Sequence, residues 1–258
     1  MLVRSQREGR WPLLKQRPEL VRRFARIFMI RTAREIGRAV ARRIARRRLT
    51  RSEKKRSKAL AHALDACARE ALRARRNKLE ASEAAFNLAL YFLVAERDIQ
   101  TVKVDALTHS DSWHRSLYAR VILLTIHELD LDKAGGNKLR QALEDTSVPV
   151  ALRQEIAAAL RVVRSAQQKA QKQYAALRHS TIAHRDADAI TQYRRITELD
   201  SLSIVQTAAE FYAGTHAFMD VMPRLLAHVG GMSGLISQLI AQNRRNTDSL
   251  LAQSQSDA

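Results

Sequence analysis

Apolar positions recur along most of this chain at three- and four-residue spacing, the period of a helix buried on one side. Between residues 38 and 134 there is neither Gly nor Pro, so nothing breaks a helical pattern there. Segment 19–48 carries Ile36, Val40 and Ile44 at i, i+4 and i+8, a stripe narrower than a core helix needs. Helices are expected next over 59–78 and 82–104. In the second, Ser82 can serve as N-cap, and Phe86, Leu88, Leu90, Leu93 and Val94 supply a broad apolar face. The run T-H-S-D-S at 108–112 is a break rich in capping residues, and 113–131 follows as a helix with Leu117, Val121, Leu124 and Leu131 on one side. Ala134-Gly135-Gly136-Asn137 reads as a turn, and a short helix over 138–145 leads to Pro149.

The clearest helical pattern spans 150–177, where Leu152, Ile156, Leu160 and Val163 share a face. Segment 187–199 mixes β-branched and charged residues and reads as a loop with a short turn or strand. Asp200 or Ser201 caps a helix running to about His228, with Pro223 as a point of kinking and Gly230-Gly231 as its end. A last amphipathic helix is expected over 232–252. The fold class is therefore all-α, an antiparallel bundle of about four core helices with additions at both ends.

Composition adds a strong asymmetry. The net charge is +19, but residues 1–79 hold 26 Lys/Arg against 6 Asp/Glu (+20), and residues 80–258 hold 19 against 20 (−1). The chain divides accordingly into a basic N-terminal extension (1–58), a near-neutral helical bundle (59–230) and a C-terminal helix with a frayed end (231–258). An excess confined to one end points to an anionic partner, nucleic acid or an acidic membrane surface. Arg42, Arg43, Arg46, Arg47, Arg48, Arg51, Lys54, Lys55 and Arg56 are the candidate nucleic-acid-binding residues. The same Arg-rich, acid-poor pattern also resembles a mitochondrial presequence. One cysteine, Cys67, excludes an internal disulfide and a Cys-based zinc site and fits a reducing, cytoplasmic setting. The longest uncharged run, 225–243, holds three Gly, two Ser, two Gln, a His and an Asn, too polar for a membrane span.

The stretch richest in chemistry is Y-A-A-L-R-H-S-T-I-A-H-R-D at 174–186, where seven of the last nine residues are polar. Arg178 is a fixed cation, and His184 changes protonation near pH ~6.5. An Arg can clamp the oxygens of a phosphodiester while a His moves the proton of the attacking 2′-hydroxyl or the leaving oxygen. The two are six positions apart, about 240° around a straight helix, so they do not share one helical face. Taken on residue type alone, the same pair is also what a solvated helix C-terminus carries.

The sequence L-R-H-S-T-I-A-H-R-D resembles the signature of HEPN domains, an Arg followed after four to six residues by a His. The trailing I-A-H-R-D is similar to their abortive-infection U branch. The resemblance covers roughly residues 82–228 and implies a small up-and-down helical bundle that dimerises so that both motifs line one cleft. It further implies metal-independent cleavage of RNA by Arg178 and His184, with no cofactor. His179, Ser180, Arg185, Asp186 and Tyr174 would assist. The family's partners include neutralising antitoxins such as nucleotidyltransferases. His179 stands where the family often has another polar residue, commonly Asn. H-R-D also resembles the protein-kinase catalytic loop, but Thr191 stands where that loop needs Asn, and no Gly-rich loop is present. His216 and Asp220 at i, i+4 are a weak metal-ligand pair. The alternative to a nuclease is a non-catalytic helical module that binds nucleic acid or protein, with the basic arm as its main binding element.

Overall fold

Every regular element among the described residues is helical, as the spacing of apolar positions predicts. The computed structural model describes the backbone over 18–178 and 188–256, with side chains over 36–177 (Arg38 excepted) and 188–245. The elements are α1 (Pro18–Arg76), α2 (Glu80–Thr108), α3 (Ser112–His127), a wide turn (Asp132–Gly136), α4 (Asn137–Asp145), α5 (Val150–Arg178), α6 (Ala189–Thr197), α7 (Ser201–Val229) and α8 (Met232–Ser256). The chain forms two units, Met1–Arg48 and Leu49–Ala258. In the first, Ile36, Val40 and Ile44 are 64%, 52% and 50% exposed, so the narrow stripe is not a core face. No helix among the described residues is long and apolar enough to cross a membrane.

The second unit is an all-α bundle in which α2, α3, α5 and α7 pack on one another. Its core contains Leu88, Phe92 and Ile99 of α2, Ile122 and Ile126 of α3, Val163 of α5, and Ile204, Phe211 and Phe218 of α7. Phe92 and Phe218 meet edge to face at 5.3 Å between centroids. α5 and α7 approach closely because Gly214 carries no side chain. A Cβ there would lie 2.7 Å from the Val163 amide nitrogen and from its Cγ2.

Short connections with legible chemistry set the order of the bundle. Asp111, Asp188 and Asp200 cap α3, α6 and α7 by accepting first-turn amide hydrogens. Gly135 takes φ 122°, a conformation that favours glycine, and so closes the turn before α4. α7 continues through Pro223.

Three expectations need correction. Segment 187–199 is no loop or strand: Asp188 caps α6, and Ile196 anchors it in the interior at 5% exposure. Ser82 is not the N-cap of α2. The helix begins at Glu80, Ser82 is buried, and the side chain of Gln238 accepts from the Ala81 amide instead. In α3 the buried face is Ala119, Ile122, Leu123 and Ile126, while Leu117 and Val121 are exposed, because both sides of that helix are apolar and only packing chooses between them.

Candidate functional site

The Arg178 segment sits between two anchored helix ends. The last turn of α5 is fixed from inside: Leu177 and Tyr174 are buried at 7% and 8% exposure. The Tyr174 hydroxyl and the Ser203 hydroxyl of α7 are 2.8 Å apart, so Tyr174 ties α5 to α7. Arg195 Nη1 donates to the Ala176 carbonyl at 3.3 Å, joining α6 to the same end of α5. On the far side, the Asp188 carboxylate accepts from the amides of Ile190 and Thr191 and from the Thr191 hydroxyl. These bonds hold the Asp188 carboxyl below its ordinary value. Arg178 is the last described residue of α5. The side chain of Arg178, and His179, Ser180, His184, Arg185 and Asp186, lie outside the described residues.

The basic candidates separate into two kinds. In the first unit Arg43, Arg46, Arg47 and Arg48 are exposed and Arg42 is half-buried. In the second, Arg51, Lys54 and Lys55 are exposed, and Arg56 is different. Its guanidinium stands 3.3 Å from the Glu96 carboxylate, 2.9 Å from His216 Nε2 and 4.4 Å from the centroid of the Tyr212 ring. Arg56 thus faces into the bundle rather than outward with its neighbours.

Comparison with protein-family models, curated proteins and solved structures returns no match. What the chain can do is therefore read from its own residues.

The cluster around Arg56 is the part of the interior that sequence spacing did not reveal. Glu96, 3% exposed, accepts from the Thr215 hydroxyl and pairs with Arg56. Glu53 pairs with Lys103 at 2.8 Å and accepts from Gln100 at 3.0 Å. Burial pushes the Tyr212 hydroxyl well above its ordinary range, and its neighbours Glu96 and Glu53 add to that. The signal in the sequence was an acid and an amide, Glu96 and Gln100, inside the otherwise apolar face of α2. The His216–Asp220 pair gathers no third ligand: no cluster of three metal-ligating side chains occurs among the described residues. His216 Nε2 instead faces Arg56. Asp111, the N-cap of α3, organises His109 and His114. It bonds His114 through its carboxylate and His109 through its amide, and the two rings stack at 4.4 Å.

Proposed function

We propose that this protein is a metal-independent endoribonuclease of the HEPN kind that cuts RNA with Arg178 and His184. What supports the reading is the R-H-S-T-I-A-H-R-D sequence, which begins at Arg178, the last described residue of the core helix α5, next to buried Leu177. Arg178 clamps the scissile phosphate, where charge grows on the oxygens during attack. His184 transfers the proton. Two copies of the chain bring their segments to one cleft, and a neutralising partner, such as a nucleotidyltransferase, holds the activity in check in the cytoplasm. The exposed arginines and lysines of 42–55 raise affinity for RNA without choosing sequence.

The test is incubation of purified protein with RNA in EDTA. Cleavage by the wild type that is lost in Arg178→Ala and in His184→Ala, with helix content retained, supports the reading. Equal binding of RNA by all three proteins without cleavage selects a second reading, a non-catalytic nucleic-acid-binding module. The exposure of Arg43, Arg47, Arg48, Arg51, Lys54 and Lys55 favours that reading.

A further inference from the structure

A cavity of about 370 Å³ opens beside the first turns of α2. That is the size of a small-molecule site. The end of α1, the start of α2, the Gly135 turn with α4, and α8 all contribute to its lining. The wall is held by definite bonds. Gln238, 7% exposed, accepts from the Ala81 amide at 3.2 Å and donates to the Val229 carbonyl at 2.9 Å. Arg75 meets Glu83 at 2.8 Å, and Arg245 meets Glu80 at 2.7 Å and Asp145 at 3.5 Å.

Two arginines thus face the three carboxylates of the lining, Arg245 being shared by Glu80 and Asp145. Two lysines bring the lining to four cations against three carboxylates. Lys78 and Lys138 both line the cavity, and among the described residues neither has a carboxylate partner. Lys78 takes φ 55° as the left-handed residue that closes α1, its amide donating to the Arg75 carbonyl and the Leu79 amide to the Ala74 carbonyl. The amides of Gln141 and Gln242 line the same space.

We propose that this cavity binds a small phosphate-bearing molecule, with Lys78 and Lys138 as its charge partners. An ammonium is a compact point charge suited to phosphate, and the excess of one cation in the lining favours an anion over a neutral molecule. The side-chain amides of Gln141 and Gln242 take hydrogen bonds from the polar remainder of the molecule or donate to it. The cavity shares no residue with the Arg178 segment or with the exposed cations of 42–55, so this inference does not rest on the proposed RNA chemistry.

The experiment is thermal unfolding of the full chain against increasing glycerol phosphate, with chloride keeping ionic strength constant. A ligand of the native state raises the midpoint in proportion to its occupancy, by several degrees at about 100 times its Kd. The rise is expected in the wild type and in Arg161→Gln/Lys172→Gln, which removes equal charge from the exposed side of α5. It is expected to vanish in Lys78→Gln/Lys138→Gln. Arg178→Ala and His184→Ala leave it unchanged. No rise in the wild type, or an equal rise in Lys78→Gln/Lys138→Gln, overturns the proposal.

Discussion

Glu96 sits inside α2 with almost no access to water, and the cost of burying a carboxylate is offset only by its partners, Arg56, Thr215 and His216. Replacing Glu96 by Ala leaves Arg56 without its acid. Arg56 is a third exposed and recovers some hydration, so the expected loss is about 2 kcal/mol, below that of a fully buried pair. Urea unfolding measures it, and Glu96→Gln is expected to lose less because the Thr215 bond survives. Tyr212 beside it makes a pH prediction. A hydroxyl whose folded value is raised holds its proton longer in the native state than in the unfolded chain. Stability is then complete below the ordinary tyrosine value of about 10 and declines as pH rises beyond it. Tyr212→Phe is expected to flatten that decline in unfolding curves taken across the alkaline range. Cys67 is buried in the core, and burial raises its thiol. Its alkylation by iodoacetamide is expected to be slow in the native protein and fast in denaturant.

Among the elements, the contact of α5 with α7 depends most on a single atom's absence. Gly214→Ala puts a Cβ against the backbone of Val163, which cannot yield as a flexible side chain would, and overpacking of this kind costs about 1–3 kcal/mol. A midpoint unchanged in chemical denaturation would mean that the two helices separate freely. Most of these elements were legible in the sequence because apolar spacing and Asp, Gly and Pro punctuation agree there. Leu152, Ile156 and Val163 are buried as their spacing predicts. Asp200 caps α7 where the cap was expected, and Gly230 ends it. Reading failed where local signals were equal or the deciding partner was distant. α3 has apolar residues on two sides, so its spacing alone could not say that Ile122 faces in and Val121 out. The true cap of α2 comes from Gln238, far along the chain, and no pattern near Ser82 announces it. The Arg178 run was conspicuous as a block of polar residues after a strongly periodic helix. Its neighbours Leu177 and Asp188 are anchored, one by burial and the other as the cap of α6.

For the whole molecule, the segregation of charge is the dominant physical fact: +20 over residues 1–79 and −1 over the remainder. Binding of single-stranded RNA is expected to weaken steeply with salt, since each phosphate contact releases counterions. Replacing Arg43, Arg47, Arg48 and Arg51 by Gln is expected to reduce the slope of log affinity against log salt by up to about 3, at about 0.7 per contact. Titrations at several salt concentrations measure that slope. An unchanged slope would place the RNA elsewhere. The most direct test of the central claim, an Arg and a His acting on one phosphodiester, is analysis of the ends of the RNA products. Attack by the neighbouring 2′-hydroxyl predicts a 2′,3′-cyclic phosphate on one fragment and a free 5′-hydroxyl on the other. It also predicts no cut where the attacking hydroxyl is replaced by hydrogen, and no products from His184→Ala. Fragments bearing 5′-phosphates, or equal cutting of the 2′-deoxy substrate, would contradict it.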